Sequence, residues 1–320
     1  MKVAILDDYQ GAALASADWS AVSAQAEVTA YPDHLDEEDA LVARLADAEV
    51  IVAMRERTPF QRSLIERLPN LKLLVTTGAR NASIDVQAAA DAGVTVCGTG
   101  GLAHPTAELT WALILAMLRR IPKEEQGILG GRWQVDLGED AYGKTLGVLG
   151  LGRLGSRVAA VGQAFGMDVL AWSQNLTRER TDELGVELAA SKDDLLRRSD
   201  IVTIHLVLSG RSRGLLGAED LRQMKPTAYL VNTSRGPIVD EAALVAALRD
   251  RTIAGAALDV FDVEPLPAGH PFRDLDNVVL SPHVGYVSKE NYQVFYGDAV
   301  EDILAFLAGA PVRVIEPAAR

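Results

Sequence analysis

Leu146-Gly-Val-Leu-Gly-Leu-Gly-Arg-Leu-Gly155 begins as a short apolar run and passes directly into glycines spaced Gly150-x-Gly152-x-x-Gly155. The chain after it, through Val158–Ala164, reads as a helix, so the stretch is a strand, a tight turn and a helix in succession. In that setting each glycine has a task. The first makes the tight turn, the second lets a pyrophosphate approach the backbone, and the third lets helix and strand pack closely. The helix N-terminus adds unpaired N–H groups and partial positive charge. Gly150, Gly152, Arg153, Leu154 and Gly155 are therefore candidate dinucleotide contacts.

Outward from this turn the chain alternates short apolar runs with helical segments, the signature of parallel sheets covered by helices. Strands are expected at Val3–Leu6, Val50–Ala53, Leu73–Thr76 and Val94–Cys97. A second series is expected at Thr145–Gly150, Asp168–Trp172, Ile201–Ile204, Tyr229–Val231, Ala254–Ala257 and Val278–Leu280. The length of 320 residues exceeds what one core usually supports, so two α/β domains are expected, each a doubly wound parallel sheet. A boundary suggests itself at Gly98-Thr-Gly-Gly101, and the helical stretch Val287–Ala308 would return to the first domain. The expected division is 1–99 with 287–320, and 100–286. Ala107–Leu118 is apolar nearly all round and is expected to be buried on all sides, between domains or against a second subunit.

The composition is that of an ordinary globular chain, 48% hydrophobic and 23% charged, with a net charge of −13. That charge repels phosphate backbones and anionic lipid, which argues against nucleic acid and membrane partners. Cys97 is the only cysteine, so no intrachain disulfide can form and a reducing compartment is expected. Two acids, Asp7 and Asp8, interrupt the N-terminus before a signal-peptide core could form, and the apolar stretch Leu109–Leu118 is far short of the ~20 residues of a membrane helix. A cytoplasmic protein is expected, without a metal site.

Three charged residues in the last third of the chain each have their own loop. Arg235 stands in Asn232-Thr-Ser-Arg-Gly236, Glu264 in Asp262-Val-Glu-Pro265, and His283 in Ser281-Pro-His-Val-Gly285. Arg235 and His283 follow expected strands, at the carboxyl ends where doubly wound sheets place ligands. A guanidinium grips a carboxylate bidentately and stays charged. A free histidine, with pKa ~6.5, is only about one-tenth protonated at pH 7.5. A carboxylate partner favours the protonated form, which is the reason to pair Glu264 with His283. The three are a catalytic set for holding a 2-keto acid and moving a proton to or from its C2 oxygen.

These motifs resemble the D-isomer-specific 2-hydroxyacid dehydrogenases, related to phosphoglycerate dehydrogenases and hydroxypyruvate/glyoxylate reductases. The resemblance rests on Ala107-Glu-Leu-Thr110, Gly150–Gly155, Ser199–His205, Met224-Lys-Pro226, Asn232–Asp240, Ala257–Phe261 and the three loops above. It implies a flavodoxin-like substrate domain, an NAD(P)-binding Rossmann domain and a homodimer. It implies hydride transfer between a nicotinamide and C2 of a D-2-hydroxy or 2-keto acid, with Arg235 as anchor, Glu264 as partner and His283 as acid/base. Asp259 would contact the nicotinamide carboxamide, and His205, Thr233 and Gly285 would line the cofactor.

Departures from the family pattern mark the open points. The strand Asp168–Trp172 runs into Ser173-Gln-Asn175 without the carboxylate that grips the ribose of NAD, so NAD is the reading and NADP, with Arg178 or Arg180, stays open. The substrate loop reads Thr77-Gly-Ala-Arg-Asn-Ala-Ser-Ile-Asp85, which makes Gly78, Ala79 and Arg80 substrate candidates. Arg55 matches an arginine that some relatives aim at the substrate. Arg55 and Arg80 would suit a second anionic group or face solvent. No appended regulatory domain is expected after the last helix. Formate dehydrogenases of the superfamily pair their histidine with glutamine, whereas Glu264 stands here. The rival reading is a dinucleotide-sensing, corepressor-like protein on the same scaffold.

Overall fold

A computed structural model describes residues 1–317; the last three positions of the expected 287–320 segment lie outside the described residues. The chain divides into two compact units, one formed by Met1–Leu102 with the chain from Val287 onward, the other by Ala103–Tyr286. The division falls after the glycines of 98–101 because side chains of the last helix hold this stretch. Asp298 accepts from the Gly100 N–H at 2.7 Å and Asn291 from the Leu102 N–H at 2.7 Å.

The first unit holds β1 (Lys2–Ile5), β2 (Glu27–Ala30), β3 (Val50–Ala53), β4 (Leu73–Thr76) and β5 (Thr95–Gly98). They form a parallel sheet in the order β2-β1-β3-β4-β5, the flavodoxin-like arrangement. β3 and β4 are buried along their whole length, as an apolar run between two helix layers must be. β2 escaped the sequence reading. It is an edge strand whose residues alternate between exposed and half-buried, so it carries no continuous apolar run. Residues near the end of the described chain add to the opposite edge: Val314 bridges Cys97 in antiparallel fashion.

The second unit holds β6 (Thr145–Leu149), β7 (Asp168–Trp172), β8 (Glu187–Leu188), β9 (Ile201–Ile204), β10 (Tyr229–Asn232), β11 (Gly255–Leu258) and β12 (Val278–Leu280). Every pairing is parallel, in the order β12-β11-β10-β9-β6-β7-β8. Counted from β6 this is the dinucleotide-binding order with one strand added, and its switch point lies between β6 and β9. The two-residue strand β8 was missed because it has no room for a pattern.

The long helix spans His104–Leu118 and packs Ala107, Trp111, Ile114 and Leu118 into the core of the second unit. The Trp111 indole donates to the Val158 carbonyl at 3.1 Å and stacks near Phe165 with ring centres 5.0 Å apart. Burial on all sides is not what this unit provides, since Glu108 and Ala112 are exposed. Among the described residues no helix is long and apolar enough to cross a membrane.

Candidate active site

In the second unit the catalytic candidates lie in loops that follow parallel strands, and the cofactor candidates lie in such loops or in the first turn of the helix after β6. β6 ends at Gly150, whose N–H donates to the Trp172 carbonyl at 2.9 Å, and the helix Arg153–Ala164 starts at once. Gly150 has φ +98, and a Cβ there would lie 2.7 Å from the His205 carbonyl oxygen. A Cβ on Gly155 would lie 1.9 Å from the Gly150 carbonyl oxygen, so only glycine lets this helix sit on the turn. Gly152 differs. Nothing lies within 4 Å of a Cβ built there, so its lack of a side chain serves space that the protein itself leaves open. Gly152 and Arg153 are exposed and Leu154 is half-buried at the helix start. A glycine turn opening onto a helix N-terminus in this way could cradle a pyrophosphate.

Neighbouring strands complete the rim. Ser173 follows β7 and is half-buried; its carbonyl accepts from the Leu176 N–H at 3.2 Å. Arg180 is committed to Glu183 at 2.9 Å, while Arg178 is exposed. His205, after β9, meets the Thr203 hydroxyl through Nε2 at 2.9 Å. Burial pushes its pKa down to about 4, so this imidazole is neutral at pH 7. Thr233, after β10, shares a 2.8 Å hydrogen bond with Thr110 of the long helix.

The arginine, glutamate and histidine are connected through a short chain of contacts. Arg235 follows β10 in a loop fixed by Asn232, whose amide donates to the Arg235 carbonyl at 2.9 Å and whose Oδ1 accepts from the Ser234 N–H at 3.0 Å. The Arg235 guanidinium is half-buried and donates to the Ser234 carbonyl at 2.7 Å. The adjoining Gly236 presses on the loop after β11, where a Cβ would meet the Phe261 carbonyl carbon at 2.2 Å. The Phe261 N–H in turn donates to Glu264 Oε1 at 2.9 Å, and Glu264 Oε2 lies 2.5 Å from His283 Nδ1. The carboxylate thus has one oxygen on its own loop and the other on the histidine.

Asp259, at the end of β11, organises the His283 turn from beneath. It is 1% exposed and accepts from the Ser281 hydroxyl at 2.6 Å, the Val284 N–H at 2.9 Å and the Gly285 N–H at 2.8 Å. Burial pushes its carboxyl up, against the opposing pull of those three donors and the nearby His283. His283 itself has φ +53, and the Asp259 bonds flank it on both sides. Thr106 of the long helix closes the turn by donating to the Gly285 carbonyl at 3.0 Å. Thr106, Thr110, Asn232 and Ser281 were not singled out from the sequence. Their hydroxyl and amide groups act on loops more than twenty residues away or on a local backbone turn, and the available signals were only that Thr110, Asn232 and Ser281 fall within the quoted motifs.

In the first unit, the loops after β3 and β4 interlock. The Arg55 N–H donates to the Thr77 hydroxyl at 2.9 Å, and its guanidinium donates to the Thr77 carbonyl at 3.2 Å. That guanidinium covers Gly78, which has φ +94; a Cβ there would collide with Arg55 Nη1. Asn81 donates to the Arg55 carbonyl at 2.5 Å and to the Thr76 hydroxyl at 2.9 Å, so it braces the two loops. Gly78 is buried, and Ala79 and Arg80 are exposed beside it. Among the described residues no group of three or more His, Cys, Asp or Glu side chains is placed to hold a metal ion.

Comparison with known proteins accounts for this arrangement. Residues 111–285 match the family model for the D-isomer specific 2-hydroxyacid dehydrogenase, NAD binding domain. A glyoxylate reductase of Aeropyrum pernix is 44% identical over 256 residues, covering 77% of this chain and 76% of the relative. A D-3-phosphoglycerate dehydrogenase of Methanocaldococcus jannaschii is 37% identical over 272 residues, covering 84% of this chain and 52% of the relative. Among solved structures, a phosphoglycerate oxidoreductase from Vibrio cholerae superposes with a TM-score of 0.93 at 38% identity, over 97% of this chain and all of that one. With its two parallel sheets, nucleotide turn and Arg–Glu–His loops, the chain belongs to the D-isomer specific 2-hydroxyacid dehydrogenase family.

Proposed function

We propose that the protein reversibly reduces a 2-keto acid to its D-2-hydroxy acid with Arg235, Glu264 and His283 as its catalytic set. The single observation that carries this reading is the unbroken line of contacts from the Arg235 loop through Gly236 and Phe261 to Glu264 and His283. A bound nicotinamide supplies or takes the hydride at C2. Arg235 pairs with the carboxylate and polarises the adjoining carbonyl. His283, held through Nδ1 by Glu264, keeps Nε2 for the proton that goes to or comes from the C2 oxygen. Asp259 keeps that histidine's turn in place and offers its second role, toward the carboxamide, from the same position. Neutral His205, Thr233 and Gly285 line the cofactor.

The family and its named members are dehydrogenases and reductases, which supports an enzyme over a dinucleotide-sensing binding protein. For the cofactor we favour NAD. Arg180 is paired with Glu183, and the residues that directly follow β7, Ser173-Gln-Asn175, include no arginine to receive a 2′-phosphate. In the first unit Gly78, Ala79 and Arg80 of the loop after β4, with Arg55 of the loop after β3, are the substrate-binding residues.

A homodimer fits the surface of the second unit. Trp133 is 78% and Leu137 is 89% exposed there, with Ile128, Leu129 and Tyr142 on the same 121–142 segment. Large apolar side chains exposed along one segment suit an interface. Sedimentation should give twice the chain mass, and Trp133→Glu with Leu137→Asp should give a monomer.

The activity is tested by assaying the purified chain with glyoxylate, hydroxypyruvate and 3-phosphohydroxypyruvate against NADH and NADPH. Turnover of at least one keto acid, faster with NADH, is expected. No turnover on a wider panel of 2-keto acids would overturn the proposal.

A further inference from the structure

The chain just before residue 317 rests against the far edge of the first sheet, and what it touches there leads to the substrate loop. Residues 313–315 run antiparallel to β5: the Gly98 N–H donates to the Arg313 carbonyl at 3.0 Å and the Ile315 N–H to the Val96 carbonyl at 2.8 Å. Arg313, with φ +50, is anchored to the helix Lys289–Leu307. Its guanidinium reaches Glu301 at 2.7 Å, Asp302 at 3.0 Å and the Asp298 carbonyl at 2.9 Å. The segment is thus clamped to a helix at one end and laid along a strand.

Gly98 is the point where this clamp meets the loop. A Cβ on Gly98 would be 3.0 Å from the Ile315 Cδ1 methyl, 2.9 Å from the Gly78 carbonyl oxygen and 3.2 Å from the Ala79 carbonyl carbon. The Ile315 side chain and the Gly78–Ala79 peptide therefore converge on one side-chain-free spot. The adjoining Thr99 adds a second link, since its hydroxyl accepts from the Gly78 N–H at 2.7 Å while its own N–H donates to the Thr76 carbonyl at 3.1 Å. Ile315, partly buried, also packs on the core of this unit.

We propose that residues 313–315 are a positioning element for substrate recognition, a bridged segment along β5 whose Ile315 sets the height of the Gly78–Ala79 peptide through Gly98. The inference rests on the reading of Gly78, Ala79 and Arg80 as the substrate loop. Arg313 and Ile315 touch no substrate in this proposal. They fix where the loop's peptide groups and the Arg80 side chain begin, and misplacing such groups by a fraction of an ångström weakens a substrate more than a cofactor bound to the other unit.

The test is steady-state kinetics on the full chain with Ile315→Ala, Ile315→Val, Arg313→Ala and, as a direct probe of the loop, Ala79→Val. Ile315→Ala and Arg313→Ala are expected to raise KM for the keto acid by on the order of 10-fold with KM for NADH unchanged, and Ile315→Val, which lacks only the Cδ1 methyl, to raise it by a smaller factor. Hydrogen exchange at the Gly78 and Ile315 amides should quicken in the same two alanine variants. If those amides exchange faster while keto-acid KM stays at the wild-type value, and Ala79→Val raises it, the positioning role is overturned and the loop reading stands. If Ala79→Val is silent as well, the loop reading fails and takes the proposal with it. An equal rise in both KM values would show general loosening and would also overturn it. Should Arg313→Ala fail to fold, the Ile315 pair carries the test, because valine keeps the bridged segment and shortens only the contact.

Discussion

Arg235 brings a permanent positive charge to the loop after β10, where its guanidinium donates to the Ser234 carbonyl. Two charged hydrogen bonds to a substrate carboxylate, at ~1.5–3 kcal/mol each, make the expected loss in kcat/KM for Arg235→Ala on the order of 10²–10⁴. Lysine should restore little of it, because a point charge lacks the planar fork. His283→Asn should lower kcat by roughly 10²–10⁴ while NADH still binds in a fluorescence titration. Near-native turnover of either variant would remove it from the set. The three residues could be picked out from the sequence because each is a charged side chain in a loop that turns at proline or glycine after an apolar run. Thr106, Thr110 and Asp259's hold on the His283 turn could not. They act through bonds to residues whose proximity exists only once the strands are ordered, and a threonine on a helix looks the same whether or not its hydroxyl has a remote carbonyl to reach.

The glycines of the nucleotide turn separate into two kinds, and the difference predicts two phenotypes. Gly152→Ala should fold with an almost unchanged melting temperature and bind NADH on the order of 10-fold or more weakly, since its Cβ enters only space the protein leaves open. Gly155→Ala should lose stability outright, because a Cβ 1.9 Å from the Gly150 carbonyl must drive the helix off its strand. Equal melting temperatures for the two would contradict this assignment. Of the elements, the central strands were legible as continuous apolar runs, and boundaries moved by only a residue or so, as for Lys2–Ile5 against the expected Val3–Leu6. β2 and β8 were not, since an edge strand buries too little of itself to need such a run. The long helix was legible in extent but not in surroundings: an apolar circumference says that something covers it and leaves open what does.

At the scale of the whole molecule, pH acts on the fold through one residue above others. Asp302 is 0% exposed, and burial pushes its carboxyl up to about 7 despite the Arg313 guanidinium beside it. An unfolded chain releases that proton near pH ~3.9. Between roughly pH 4 and 7 the folded chain holds a proton that the unfolded chain has lost, so stability declines as pH rises through this window and stays lower above it. Calorimetry should therefore show a melting temperature that falls from pH 5 to 8, and Asp302→Asn should flatten that fall. An equally steep fall in the variant would assign it elsewhere. Across from Asp302 lies the single cysteine, Cys97, in β5 beneath the bridge to Val314. Burial raises its thiol to about 12, so in the folded state it is neither accessible nor ionised for alkylation. The chain thus carries a built-in chemical clock. The rate at which a thiol reagent labels native protein counts openings of this one sheet edge, without any introduced label, and its dependence on denaturant separates local fraying from global unfolding.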